Sequence, residues 1–320
     1  MFTLGTYQVH FLTFWCFLKV KRKDRWRNGS KKKFQSQVDR ETEFLDVQES
    51  DQKLNFKLKG PEGEIQQGTC RYLIGAGGAH SAVRKSLGLK FEGGDYNNEF
   101  MLGDVHVKSP QRMKGLHAFF TKEGILAFFP FDDSGNFRVI YGDFKNFDAA
   151  KKDLTLEELQ FKVDQVGPKG IVLSDPSWLS RFRIHHRMAP CFQMGSIFLA
   201  GDAAHIHSPI GGQGMNTGIQ DALSLCFKIY LNLRRGAPFE LLKGYEQERL
   251  PIAKDVLRAT DLATQFALSN SLSTRMVKKW LLPFLIEHTP LQKKMAETIS
   301  QLAISRRDQK IRSNLKIQYP

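Results

Sequence analysis

A chain of 320 residues can bury a large core and form about two domains, and 41% hydrophobic residues exclude disorder throughout. The formal net charge of +14 does not mark a nucleic-acid binder, because it sits at the ends. Residues 1–40 carry ten Lys/Arg against two Asp, and residues 275–320 carry ten against three acids. Such runs read as solvated tails, and no nucleic-acid module pattern accompanies them. Cys16, Cys70, Cys191 and Cys226 are widely spaced with no C-x-x-C. That spacing predicts buried thiols in a reducing, cytoplasmic setting rather than disulfides or a zinc site.

In chain order, Val9 to Leu18 is apolar and Lys19 to Lys33 is strongly basic. The apolar run is too short to cross a bilayer, which needs roughly 20 residues. Its charge follows the apolar run instead of preceding it, unlike a secretory signal. Residues 1–37 therefore read as a basic leader outside the folded domains, and any membrane contact would come through them alone. From Val38 the pattern is strand-like. Leu54, Phe56 and Leu58 alternate with polar residues, Gly60-Pro-Glu-Gly63 turns the chain, and Tyr72 to Ile74 ends a buried strand. Gly75-Ala-Gly77-Gly78-Ala79-His80-Ser81 leads into a short helix from Ala82 to Leu87, with Ser81 as its N-cap and Gly88 as its stop. It is not a dinucleotide fingerprint, because His80 stands where the third glycine would be.

Residues 94–176 read as a separate β-sheet unit. Its strands are Met101–Val107, Leu116–Phe120, Ile125–Phe129 and Phe137–Tyr141, interrupted by one helix over Leu156–Val166. Trp178 to Arg187 alternates and returns the chain to the first unit. Ile197 to Ala200 is a short apolar strand, followed by Gly201-Asp202, a polar loop and a glycine cluster opening a long helix. In that helix Met215, Ile219, Leu223, Cys226, Ile229/Tyr230 and Leu233 recur at three and four residues and predict one buried face. Arg234, Arg235, Gly236 and Pro238 end it. Pro251 is expected to kink or restart the next helix, and residues 272–304 form a basic amphipathic segment.

A helix N-terminus with Gly211, Gly212 and Gly214 and no Cβ in the way suits an electron-rich planar ligand. Its first N–H groups lack internal partners and the macrodipole adds positive character. Asp202, at the strand end, is placed to accept hydrogen bonds from ligand hydroxyls. Two rival chemistries fit less well. His205 and His207, with His185 and His186, lack carboxylate or cysteine partners at ligand spacing, so no metal site is assigned. Asp202, His205 and Ser208 lie too close in sequence to form a relay, and no G-x-S-x-G is present. His205 reads as a loop-fixing residue bonded to backbone.

The order of residues in Gly201-Asp202-Ala-Ala-His205 and Pro209-x-Gly211-Gly212-Gln213-Gly214-Met215-Asn216 resembles the flavin motif of the FAD-dependent aromatic-ring hydroxylases, the class A flavoprotein monooxygenases. Gly77-Gly78-Ala79-His80-Ser81 resembles that family's middle motif, with Gly77 where the family has Asp. The resemblance covers about Val38 to Arg307. It implies an α/β fold comprising a Rossmann-like FAD-binding domain (38–93 and 177–236), an inserted β-sheet substrate domain (94–176) and a C-terminal helical region (237–320). It implies that Asp202 holds the ribityl chain of FAD. Gly201, His205, Pro209, Gly211, Gly212, Gln213, Gly214, Met215 and Asn216 would lie at the flavin, with Gly77 and Gly78 also at the cofactor. It further implies NADPH or NADH as co-substrate, O2, a small aromatic substrate, a flavin hydroperoxide as hydroxylating agent, and an assembly that can be a homo-oligomer. No catalytic base is named by the pattern.

A family member begins with a βαβ unit whose G-x-G-x-x-G holds the pyrophosphate, and none precedes Val38. Two readings therefore stand side by side: a monooxygenase, and a family member truncated at its start and catalytically inactive.

Overall fold

The structure is a computed structural model that describes Phe2–Thr3, residues 39–269 and residues 271–277, apart from 51–52, 97, 111–112, 114, 122, 147–152 and 211. The 1–37 leader (except Phe2–Thr3), Gly211, Cys16 and nearly all of the 272–304 segment lie outside the described residues. The chain divides into two compact units, one built on residues 95–184 and the other on 37–94 and 185–262.

The first unit is a six-stranded sheet. Its strands are Phe2–Thr3 (β1), Asn98–Lys108 (β7), His117–Phe120 (β8), Gly124–Pro130 (β9), Asn136–Asn146 (β10) and Val172–Phe182 (β11), in the order β1-β8-β9-β10-β7-β11. Every pairing is antiparallel. Leu156–Val166 (α2) has the boundaries its periodicity predicts. Thr155 accepts from the Glu158 amide and the Glu158 side chain bonds back to the Thr155 amide, a capping box that fixes where the helix starts. Leu159, Val163 and Val166 pack with Met101, Val105, Leu126, Phe128, Val139 and Tyr141. Phe100, Phe128 and Phe137 are all buried, so these sheet phenylalanines are core residues.

The strand expected to start the return at Trp178 is instead the second half of β11. Leu179 pairs with Gly103 and Phe182 with Phe100 across a register shift between Ser174 and Trp178. The units therefore change over after Ile184 and not at 176.

The second unit opens with an antiparallel meander, Glu43–Ser50 (β2), Lys53–Lys59 (β3) and Ile65–Cys70 (β4). Leu54 is fully buried. Gly63, with φ +87, makes the expected turn and donates to the Gly60 carbonyl. Leu73–Gly75 (β5) runs parallel to Ile197–Leu199 (β14), which carries Gln193–Met194 (β13) on its other side. Glu92–Asp95 (β6), His185–Met188 (β12) and His205–Ile206 (β15) form a third small sheet. Ala82–Ser86 (α1) starts where the Ser81 hydroxyl accepts from the Arg84 amide.

Gly214–Arg235 (α3) ends as predicted on Gly236, which takes φ 69 with Arg234 and Arg235 in the last turn. Its inward face, however, is not the predicted one. Of the predicted stripe, Met215 is half-buried and Ile229 packs half-buried against the core, but Ile219, Leu223, Tyr230 and Leu233 are exposed, as is Cys226, while Thr217, Asp221, Leu225 and Asn232 are buried. Specific bonding decides this. Asp221 accepts the Gly201 amide, and Asn232 accepts the Tyr72 hydroxyl and donates to the Ala237 carbonyl. Those buried polar partners cannot be left unmade at a cost of about 1–3 kcal/mol each, and they turn the apolar stripe outward.

The cysteines correct a second expectation. Cys70 and Cys191 are half-buried and Cys226 is exposed, all three with free thiols. Glu240–Leu268 (α4) runs unbroken through Pro251. The side chains on both sides of that proline are packed, with Leu242, Tyr245, Arg249, Ile252 and Ala253 all buried, and this packing offsets the lost backbone bond. Leu272–Met276 (α5) is a short helix capped by Ser271.

Candidate functional site at the Gly201–Asp202 turn

Strand β14 hands the chain to a single 3-10 turn, Gly201–Ala203. Tyr245 in α4 fixes the exit by donating its hydroxyl to the Leu199 carbonyl at 2.7 Å. Burial holds that phenol well above the ordinary tyrosine range, so it is a permanent donor. Gly201 adopts φ +61, and its would-be Cβ would meet the Gly218 Cα at 3.7 Å. Gly218, one residue late for a nucleotide fingerprint, has a different use: a Cβ there would sit 3.3 Å from the Gly201 Cα, so its absence lets the backbone of α3 approach the turn.

Beneath the turn lies a buried ionic cluster. The Asp221 carboxylate (0% exposed) accepts the Gly201 amide at 3.1 Å and pairs with His205 Nε2 at 2.7 Å through one oxygen. Its other oxygen accepts Arg249 Nε at 2.7 Å. Arg249 continues to the Gln220 side chain and the Thr217 carbonyl, each at 3.3 Å. Burial by itself would raise the Asp221 pKa, but the His205 bond and the Arg249 charge hold it below the ordinary carboxylate value. The anion is therefore the resident form.

From the opposite side Arg84, also buried, donates to the Ala203 carbonyl at 3.0 Å and the Ala79 carbonyl at 2.6 Å, with its guanidinium 3.8 Å from the Phe91 ring centroid. It ties the Gly77–Ser81 loop to the Gly201–Ala203 turn. Desolvation lowers its pKa, yet an arginine remains charged at any working pH.

Against this fixed frame the predicted site residues separate. Asp202 is exposed. Its side chain has no hydrogen-bond partner among the described residues, which leaves it able to accept from ligand hydroxyls. A Cβ on Gly77 would meet only the Ser81 Cα, at 3.7 Å, and one on Gly78, which takes φ +80, would meet nothing within 4 Å. Pro209 is exposed, while Gly212, Gly214, Met215 and Asn216 are half-buried. Gln213 sits at the N-cap of α3 without a side-chain cap bond, and the first turn holds no acid, so neither offsets the electropositive end of this helix. Gly211 is outside the described residues.

His205 departs from its expected role. It is 1% exposed and bonded to the Asp221 carboxylate, not to backbone, with its ring stacked on Phe192 at 5.7 Å. Its Nε2 is taken by Asp221, while its buried Nδ1 has no hydrogen-bond partner among the described residues. His207, which the motif did not single out, lies beside the helix start. A Cβ on Gly214 would sit 3.9 Å from the His207 ring. Its Nδ1 faces the Ser208 carbonyl at 2.9 Å while the buried Nε2 has no partner among the described residues. Burial lowers its pKa and keeps it neutral. Asp221 and Arg249 were also missed. Their only sequence signal was polarity inside a helical apolar pattern.

An exposed carboxylate, a helix start with glycines and no cap bond from Gln213, and a buried ring nitrogen with no partner among the described residues fit the flavin ring and its ribityl chain. Similarity to known proteins agrees. Residues 12–260 match the family described as FAD binding domain. The chain belongs to the FAD-dependent aromatic-ring hydroxylases. The family match begins at residue 12, inside the stretch expected to lie outside the family.

The chain is 36% identical over 230 residues to the uncharacterized aromatic compound monooxygenase YhjG of Bacillus subtilis, covering 72% of this chain and 46% of that one. It is 34% identical over 220 residues to pentachlorophenol 4-monooxygenase of Sphingobium chlorophenolicum, covering 68% of this chain and 41% of that enzyme. Among solved structures, the anhydrotetracycline hydroxylase OxyS of Streptomyces rimosus superposes with a TM-score of 0.69 at 28% identity, over 93% of this chain and 57% of that one. This member of the family thus spans about half the length of the curated relatives it matches. Its fold is mixed α/β, and no helix among its described residues is long and apolar enough to cross a membrane.

Proposed function

We propose that this chain supplies the flavin-ring site and the substrate sheet of a monooxygenase that hydroxylates a small aromatic compound, with FAD as cofactor, NADPH or NADH as electron donor and O2 as oxidant. One observation carries the reading: an exposed carboxylate, Asp202, on a turn held from opposite sides by Asp221 and Arg84, packed beside a 22-residue helix whose N-cap residue, Gln213, makes no side-chain cap bond. Bound there, the flavin would supply redox and oxygen chemistry. The protein's part is to bind and orient. Asp202 accepts from ribityl hydroxyls, and the Gly214–Asn216 amides with the helix dipole favour negative charge at the ring by roughly 0.3–2 kcal/mol. Gly201, Pro209 and Gly212 would complete the loop around the ring, and Gly77 and Gly78 would leave room for the cofactor from the other side.

A second reading, an inactive remnant, is favoured by the outward apolar stripe of α3, a face of a kind that proteins ordinarily cover. One experiment decides between them. Purified protein is titrated with FAD and flavin fluorescence is followed. NADPH consumption and phenol hydroxylation are then assayed on the loaded protein. Saturable binding lost in Asp202→Ala supports the enzyme, and binding without turnover supports the remnant. Absence of any FAD binding removes the flavin reading.

A further inference from the structure

We propose that Asp221 and Arg84 are positioning residues that preset the Gly201–Ala203 turn, so that Asp202 meets a flavin ribityl chain in an already ordered conformation. The inference rests on the flavin reading above and extends it to residues that touch no ligand.

The turn has only a few backbone groups with which to be held, and charged, buried side chains take two of them from opposite sides. Asp221 accepts the Gly201 N–H, and Arg84 donates to the Ala203 carbonyl. The third internal tie is weak by comparison, a single backbone bond from the Ala204 amide to the Gly201 carbonyl. Each holder is itself fixed. Asp221 is held by Arg249 and His205, and Arg84 is held by the Ala79 carbonyl and the Phe91 face.

An exposed loop residue free to sample many conformations would lose entropy on binding. A preset one loses little, so affinity rises without any new contact. Buried charges cost several kcal/mol of desolvation each, so a cluster of an acid, two arginines and a histidine around one short turn is an expensive way merely to fill space. Apolar side chains would pack it more cheaply. Fixing the turn accounts for the arrangement.

Four proteins test this: the wild type, Asp202→Ala, Asp221→Asn and Arg84→Lys. FAD affinity is measured by fluorescence titration, amide hydrogen exchange is read at residues 201–204, and global stability is followed by urea unfolding. The lysine keeps the charge but cannot reach both carbonyls in one geometry, so it serves where Asp221→Asn does not fold. Weakening of FAD binding by about 10- to 100-fold, the equilibrium change for losing a hydrogen bond to a charged group, together with faster exchange confined to 201–204, is the expected result. A merely structural role would lower the urea midpoint and raise exchange throughout α3 and α4, with affinity of the folded fraction unchanged, and that outcome overturns the proposal. If Asp202→Ala weakens binding but Asp221→Asn and Arg84→Lys do not, the flavin reading survives and this one falls. If the wild type binds no FAD, the flavin reading falls, and unchanged protection at 201–204 in both variants would remove the positioning role as well.

Discussion

Leu223 and Leu225 sit two residues apart on the same helix, and the structure assigns them opposite fates: 66% exposed for the first and 1% for the second. Hydrophobic periodicity alone places Leu223 inside and leaves Leu225 out of the stripe, so truncating each to alanine separates the two orientations of α3. Leu225 packs in the cluster with Leu199, Leu242 and Tyr245. Its loss removes a buried isobutyl group and leaves a cavity, a change that costs about 2–5 kcal/mol. Leu223 keeps only about a third of its surface out of water, and full burial of a leucine is worth roughly 1.5–3 kcal/mol, so its remaining contribution is about 0.5–1 kcal/mol. Alanine recovers a few tenths of that, about 0.2 kcal/mol, through its better helix propensity. Urea unfolding followed by far-UV circular dichroism, with both variants fitted to a shared slope, should show Leu225→Ala lowering stability several-fold more than Leu223→Ala. A larger loss at Leu223 would mean that the stripe is the covered face and that α3 is turned the other way about its axis.

Three further outcomes follow from the same geometry. Arg138 donates twice to Asp104, both bonds at 2.7 Å, in the interior of the large sheet. Arg138→Met strands a buried carboxylate and should cost about 3–5 kcal/mol, while adding Asp104→Leu should recover most of it in the same urea assay. Removing the Thr155 hydroxyl with Thr155→Ala breaks the capping box at the start of α2 and should cost about 1 kcal/mol, read as faster amide exchange over 156–159. Stability should also fall in acid. His207 has a native pKa below its ordinary 6.5, so the unfolded chain takes up the proton first. Its contribution is complete above about 6.5 and shrinks as pH drops toward the native value. Asp221, held below its ordinary 3.8, adds a second loss only as pH falls below about 4. Denaturation midpoints from about pH 4.5 to 7.5 should show the first slope, and His207→Gln should flatten it; an unchanged slope in that variant would assign the effect elsewhere.

Motifs with a local mechanism were legible in the residues. The Asp202 turn follows an apolar strand because a buried run must end where a polar loop begins, and the glycines before Met215 mark where the helix opens. The ionic cluster was not legible. Asp221 lies 16 residues from His205 and 28 from Arg249, and no periodicity rule joins positions on a strand and two different helices. The exchange of a buried stripe for an exposed one in α3 was invisible for a related reason. Periodicity measures which residues are apolar, and the partners available to Asp221 and Asn232 exist only after the strands and α4 are in place.

Short-range chemistry was enough to read the ends of the helices from the chain alone. Ser81 caps α1, Thr155 and Glu158 set the start of α2, and Gly236 supplies the left-handed exit of α3. Each involves groups within a few residues, where covalent geometry limits the alternatives. Three outcomes waited for the assembled fold: which side of α3 faces inward, why Gly218 is a glycine, and that His205 bonds a buried carboxylate and not backbone. The first and third depend on buried charges finding partners far along the chain, and the second on the α3 backbone closing against the Gly201 turn. Desolvation makes leaving such a charge unpaired more costly than leaving an apolar stripe in water.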